Sequence, residues 1–322
     1  MFTRDDANQL RASLEPLDFA AEAPASPVLD RYRRCYGLDF SSPTLPVRHA
    51  IGRFESDSFS LVCQHFALPL AQQRGTAFLL HGYFDHTGLY GHLIKHCLQQ
   101  GLAVVMFDLP GHGLSSGAAA SIDSFQRYTA ALLTCLRLAA QQQLNQPWVS
   151  IGQSTGGAVL MDALLGKQLA QRYPLQRYIL LAPLLRPYRW WQSRLLFALV
   201  RHFVRTTPRN FAANSHDQEF LSFIKSSDAL QSQLLPRDWV QAMIDYQRRF
   251  AAAPTSAQAL HIIQGSADKT VDWQYNLAAI QAKFPQSKSF LVADARHHLV
   301  NESAEYRTRV FSLLDQVMEG II

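Results

Sequence analysis

The chain has 322 residues, 48% of them hydrophobic and 17% charged, with 16 glycines and 15 prolines. Disordered, collagen-like and low-complexity chains are excluded, leaving two domains or one large α/β domain with an insertion. The net charge of +5 is unevenly spread, because residues 163–216 hold nine Lys and Arg and no Asp or Glu, so the remainder is net acidic.

The N-terminal MFTRDDANQL lacks a basic run followed by an apolar one, so no signal peptide is expected, and no stretch reaches the roughly 20 apolar residues of a membrane span. A cytoplasmic protein is the expectation. Residues 1–45, with five prolines from Pro16 to Pro46 in and just beyond them, read as an extension lying against the core. His49 to Leu68 alternates as two antiparallel leading strands. Cys35, Cys63, Cys97 and Cys135 have no CxxC spacing and are expected as reduced thiols.

From residue 76 onward, short apolar runs alternate with longer amphipathic stretches, the pattern of βα units on a mostly parallel sheet. Predicted strands are Thr76–Leu80, Ala103–Phe107, Trp148–Ile151, Tyr178–Leu181, Leu260–Ile263 and Ser289–Val292. Predicted helices are Leu89–Gln99, Phe125–Gln142, Ala158–Gln168, Trp273–Phe284 and Ser303–Met318, the last with Asn301 as N-cap. The alternation fails between Leu181 and Leu260. A structureless loop of that length is improbable, so 183–254, rich in Arg and aromatics, is expected to be a helical insertion between core segments 46–182 and 255–322.

The most informative segment is Trp148 to Gly157, in which a predicted strand runs through Gly152-Gln-Ser154-Thr-Gly156 into a predicted helix. That is the context of a nucleophile elbow, where a strained turn lifts a serine hydroxyl clear of the sheet. A phosphate loop is the alternative, but GxxxxGK[ST] is absent. A serine hydroxyl needs a base to remove its proton and an acid to orient that base, in the chain order Ser, acid, His. Asp268, after the strand Leu260–Ile263, and His297 or His298, after Ser289–Val292, fall in that order. His297 is the favoured base, and Asp294, three residues before it, the disfavoured acid. Donors for the oxyanion of acyl transfer are expected from the backbone N–H groups of Thr155 and Tyr83. His81 and His86 lack a third metal ligand in register and are expected to be structural, so neither metal nor cofactor is called for.

Five segments together carry a resemblance. His81-Gly-Tyr-Phe-Asp-His-Thr-Gly-Leu-Tyr90 follows HGxxxHSGRY, Asp108-Leu-Pro-Gly-His-Gly-Leu-Ser115 follows DxxGHGxS, and Gly152–Gly157 follows GxSMGG. Gln264-Gly-Ser-Ala-Asp268 follows QGxxD, and Asp294 to Glu302 follows GA(R/Y)HxxxxE. The chain resembles the monoacylglycerol lipase and lysophospholipase branch of the α/β-hydrolases, a serine aminopeptidase S33-like family. The resemblance implies an α/β-hydrolase fold with a helical lid at 183–254, and a serine hydrolase of lipid-like carboxylic esters acting through Ser154, His297 and Asp268. It also places the catalytic role on His297 and makes His298 the variable position. Thr155 departs from the family's methionine, Thr87 from its serine and Leu89 from its arginine, and 183–254 carries no matching motif.

Lid side chains expected to meet the acyl chain, with Tyr83 and Phe84 of the oxyanion loop, are Trp190, Trp191 and Phe197. Leu184–Phe211, with six Arg and no acid around Trp190, Trp191 and 195–200, also has the make-up of an interfacial helix at an anionic membrane, or of a solvated basic face. Nucleic acid is not an expected partner, since the charge is interleaved with bulky apolar residues. Two other functions compete. A proline-iminopeptidase-like aminopeptidase would need lid acids for the substrate ammonium, with Asp217, Glu219 and Asp228 on offer, and a non-catalytic binding protein on a hydrolase scaffold would not need the intact Ser, Asp and His. Dehalogenases and epoxide hydrolases need Asp where Ser154 stands.

Overall fold

The computed structural model describes residues 2–166, 169, 172–201 and 203–321. Two helices open the chain, α1 (Arg4–Ser13), whose N-terminus is closed by a reciprocal Thr3–Asp6 capping box, and α2 (Pro27–Tyr36), with Ser26 as N-cap and Pro27 in its first turn. Their apolar faces, including Leu10, Leu29 and Tyr32, are buried with Phe2 in one of two hydrophobic clusters.

Strands β1 (Arg48–Ser56) and β2 (Phe59–Ala67) pair antiparallel, and β2 pairs antiparallel with β4 (Leu102–Phe107). From β4 the sheet runs parallel through β3 (Gly75–Leu80), β5 (Trp148–Gln153), β6 (Leu175–Leu181), β9 (His261–Gly265) and β10 (Lys288–Val292). The order is β1-β2-β4-β3-β5-β6-β9-β10. Every residue of β3, β4 and β5 is buried, because helices cover both faces and apolar runs replace the alternation of a one-sided sheet. The covering helices are α3 (Gly91–Gln99), α4 (Phe125–Gln141), α5 (Thr155–Leu165), α9 (Trp273–Lys283) and α10 (Ala304–Met318). The fold is that of an α/β-hydrolase.

Strand positions agree with the sequence reading to within a few residues, and three details differ. Helix α5 starts at Thr155, directly behind the elbow, and the predicted end at Gln168 lies outside the described residues. Asn301 does not cap α10. Ser303 holds that position, while the Asn301 side-chain amide donates to the Leu89 carbonyl at 2.7 Å. Residues 183–254 hold α6 (Trp190–Val200), α7 (Gln218–Ser226) and α8 (Arg237–Ala252), but also a short antiparallel ribbon of β7 (Thr206–Pro208) and β8 (Leu234–Pro236). Among the described residues no helix is long and apolar enough to cross a membrane.

Candidate active site

The site lies where ligands gather in such sheets, at the carboxyl ends of the central parallel strands. Ser154 follows β5 at φ 52° and ψ −108°, a strained conformation for a residue with a side chain. The turn is held by its own backbone: the Ser154 N–H donates to the Leu181 carbonyl (2.8 Å), and the Ser154 carbonyl accepts from Ala158 (3.1 Å) and Leu184 (3.0 Å). A Cβ at Gly156 would stand 2.3 Å from the Leu80 carbonyl oxygen, so only glycine lets the helix start this close to β3.

Asp268 and His297 reach Ser154 from the loops after β9 and β10. His297 Nδ1 donates to Asp268 Oδ2 at 2.7 Å, and its Nε2, left as acceptor, lies 3.0 Å from Ser154 Oγ. All three are buried. Asp268 Oδ1 accepts the N–H groups of Thr270 (2.8 Å) and Val271 (3.1 Å), and Oδ2 also accepts from the Gln264 amide (3.0 Å). Burial alone would push the Asp268 carboxyl up, but His297 and these hydrogen bonds outweigh it and hold the group below its ordinary range, as an anion. Asp294 is exposed, and its backbone N–H donates to the Ser266 hydroxyl at 2.8 Å.

The loop expected to supply an oxyanion donor, with Gly82 and Tyr83, follows β3. A Cβ placed on Gly82 would be 3.4 Å from Ser154 Cβ, which sets this loop directly beside the serine. Among the described residues the Tyr83 N–H donates to no acceptor, and the Thr155 N–H belongs to the first turn of α5, where N–H groups have no partner inside the helix. The Tyr83 hydroxyl donates to the Ala120 carbonyl (2.7 Å), and its ring stacks on Trp239 at 3.7 Å between centroids.

The two histidines of this loop make protein contacts. His81 donates from Nδ1 to the Gly82 carbonyl (2.8 Å) and accepts the Leu109 N–H at Nε2 (2.8 Å). His86 donates from Nε2 to Asp228 (2.9 Å) while its Nδ1 accepts the Gly88 N–H (3.1 Å), and the Tyr36 hydroxyl donates to the other Asp228 oxygen (2.7 Å). The Asp108 segment is likewise a brace: its carboxylate accepts the backbone N–H and the hydroxyl of Thr87 and the N–H of Leu114, each at 2.7 Å. Thr87, in place of serine, keeps that hydroxyl.

Several residues at the site had no role assigned from the sequence. The Gln153 amide donates to the His297 carbonyl (2.9 Å), and buried Glu302 accepts the Arg296 N–H (2.6 Å), so the histidine loop is pinned from both sides. His298 Nε2 donates to Asp85 (3.1 Å), which also accepts from the Tyr90 hydroxyl (2.9 Å), and that hydroxyl accepts the Gly82 N–H (2.9 Å). Burial alone would raise the Asp85 pKa, but His298 and Tyr90 outweigh it and hold it low. The motif spacing marked Glu302 and Tyr90 as positions, but nothing local assigns them partners.

A cavity of about 450 Å³ opens over Ser154 and His297. Of the side chains expected to meet the acyl chain, Tyr83, Phe84, Trp190 and Phe197 line it. Trp191 does not: it is 69% exposed on the outer side of α6, while Trp190 turns inward and donates its indole N–H to Gln247 at 2.8 Å. Arg201, Arg205, Arg209 and Arg237 line the cavity, and Asp85 is the one carboxylate doing so among the described residues. Of the acids considered for an ammonium site, Asp217 caps α7, Glu219 is exposed and Asp228 is engaged by His86 and Tyr36.

The family model described as serine aminopeptidase, S33, matches residues 71–304, well over half of the chain. A monoacylglycerol lipase of Mycolicibacterium smegmatis is 30% identical over 92 residues, which are 29% of this chain and 33% of that protein. A monoglyceride lipase of Rattus norvegicus is 23% identical over 257 residues, covering 77% of this chain and 82% of that one. Among solved structures, a soluble variant of monoglyceride lipase from Saccharomyces cerevisiae with a substrate analog aligns at TM-score 0.70 and 16% identity, covering 83% of this chain and 94% of that one. A carboxyl esterase from Bacillus coagulans aligns at TM-score 0.67 and 14% identity, covering 85% and 98%.

Proposed function

The chain belongs to the serine aminopeptidase S33 family and is a hydrolase of the lipase and esterase type, and from that premise we propose that it cleaves carboxylic esters of lipid-like substrates through Ser154, His297 and Asp268. The observation that carries this reading is the continuous Asp268–His297–Ser154 relay, 2.7 and 3.0 Å, at the wall of a largely apolar cavity. Ser154 Oγ attacks the ester carbonyl as His297 Nε2 takes its proton, and the Asp268 anion steadies the imidazolium that forms. The N–H groups of Tyr83 and Thr155 receive the developing oxyanion. Collapse expels the alcohol, protonated by His297, and leaves an acyl-enzyme on Ser154. Water, deprotonated by His297, then releases the carboxylate.

An aminopeptidase, which the family's descriptive name suggests, would have to hold an ammonium group in a cavity lined by four arginines and one committed carboxylate. Like charge opposes that, so the ester reading is preferred. Segment 183–254 serves in this reading as the lid, its Trp190 and Phe197 facing the acyl chain. The outer side of α6 carries Trp191, Leu195 and Leu199, each at least 59% exposed, at helical spacing of four, with Arg189 and Arg194 beside them. That pairing of apolar and basic groups supports peripheral contact with an anionic membrane at its inner face.

The test is a substrate panel with the Ser154→Ala variant and a fluorophosphonate label. Medium-chain acyl esters should exceed acetyl esters, prolyl anilide should be inert, and the variant should lose both turnover and label. Labelling that survives in Ser154→Ala, or anilide cleavage above every ester, overturns the reading.

A further inference from the structure

Arg209 stands in the cavity wall. Its guanidinium carbon lies 4.1 Å from the centre of the Phe84 ring and 4.4 Å from that of Phe211, so aromatic rings flank it within the cavity wall. Phe84 adjoins Tyr83, whose ring is 4.0 Å away, so Arg209 packs on this loop one residue beyond Tyr83. Its backbone N–H donates to the Gln233 carbonyl (2.9 Å) and its Nη1 to the Gln231 side chain and the Ser232 carbonyl. The Nε and Nη2 edge, which makes a fork matched to an oxyanion, has no protein acceptor among the described residues.

A half-buried cation without a counter-ion is costly to fold around. Burial lowers the Arg209 pKa to about 10, yet it keeps its proton at neutral pH. The carboxylates whose fields reach it, Asp85 and Asp228, are taken by His298 and Tyr90 and by His86 and Tyr36. The cavity lining includes the polar Thr206, Thr207, Asn210 and Asn214 as well as the apolar Trp190 and Phe197 of α6. A neutral acyl glycerol would leave the fork unused.

We propose that Arg209 is a specificity-determining residue, and that the ester this cavity takes carries an anionic group which docks on the Arg209 fork while the acyl chain lies against α6. The inference rests on the ester-hydrolase reading and narrows its substrate class. The anion is a phosphate on the alcohol or a carboxylate, and the assay separates the two. Rates of the intact protein are compared on 1-octanoylglycerol, 1-octanoylglycerol-3-phosphate and 3-octanoyloxypropanoate, all octanoyl esters, for wild type, Arg209→Gln and Arg209→Lys, with melting curves for each.

At least one anionic ester should exceed the neutral one in kcat/KM by roughly ten- to hundredfold, the scale of a charged fork left unpaired. Arg209→Gln should bring that ratio toward one, and Arg209→Lys, a charge without a fork, should retain an intermediate ratio. The ester that shows the preference identifies the source of the anion. A wild-type ratio near one with good neutral-ester turnover overturns the anion site alone. Equal loss on all esters in Arg209→Gln, with the ratio preserved, makes Arg209 a structural tie and overturns it too. If wild type hydrolyses no acyl ester, the ester-hydrolase reading itself falls.

Discussion

A methyl group added at Gly265 tests whether the spacing between the two loops sets the catalytic geometry. Gly265 ends β9, three residues before Asp268, and its Cα faces the loop that carries His297. A Cβ there would stand 2.3 Å from the Ala295 carbonyl oxygen and 2.5 Å from that of Arg296, both backbone atoms. Relieving the first contact from 2.3 to 3.0 Å needs a shift of about 0.7 Å in the residues directly before His297. Misplacement near 1 Å lowers rates about a hundredfold, so Gly265→Ala should lower kcat/KM some ten- to hundredfold. Overpacking of this kind costs about 1–3 kcal/mol, and a melting point lower by about 2–10 °C should accompany it. The assay is kcat/KM on an octanoyl ester, normalised to sites titrated with fluorophosphonate. Gly166→Ala is the control, since its nearest neighbour would be 3.4 Å away and its rate should hold. A Gly265→Ala enzyme within threefold of wild type, melting at the wild-type temperature, would refute the reasoning.

His297→Ala should lower kcat about 10⁵-fold or more, whereas His298→Ala should cost about tenfold, acting through Asp85 and Tyr90 on the Gly82 loop; exchanged phenotypes in a steady-state assay would reassign the base. Asp228→Asn should lower the melting point most at acid pH. Burial alone would lower the His86 pKa, but Asp228 outweighs it and raises it, so the stabilisation is complete below about pH 6.5 and lost as pH rises through the elevated value; a deficit that grows from pH 6 to pH 9 would contradict this. Arg189→Gln with Arg194→Gln should weaken binding to anionic vesicles roughly tenfold or more at low salt and leave neutral vesicles unaffected, as read by co-sedimentation.

What could be read from the sequence was what short-range chemistry dictates. The βα alternation and the glycines around Ser154 are local signals, and they located the strands and the elbow to within a few residues. Asn301 misled because its side chain answers a distant carbonyl, that of Leu89, instead of the helix beside it. The ribbon of β7 and β8 escaped because three residues carry too little periodicity. Trp190 and Trp191 read alike in sequence, yet successive helical positions diverge by about 100°, so only one could face the cavity. Arg209 looked like one more charge on a basic face, because its ring partner Phe84 belongs to another segment of the chain.

The polar ties are distributed in a way that separates chemistry from selectivity. The loops bearing Ser154, His297 and Tyr83 are cross-braced by buried groups: Gln153 to the His297 carbonyl, Glu302 to the Arg296 N–H, and Tyr90 between Gly82 and Asp85. Each brace reaches a backbone position of these loops, the His297 carbonyl, the Arg296 N–H or the Gly82 N–H, so the relay tolerates change only where those partners are kept. Helix α6 is different, with Trp190 buried, Phe197 half-buried, and Trp191, Leu195, Leu196 and Leu199 largely exposed. A helix with so few inward contacts has little packing energy opposing its displacement. Substitutions along α6 and around Arg209 should therefore alter which ester enters without disturbing the relay, whereas those at Gln153, Glu302 or Tyr90 should slow every ester alike.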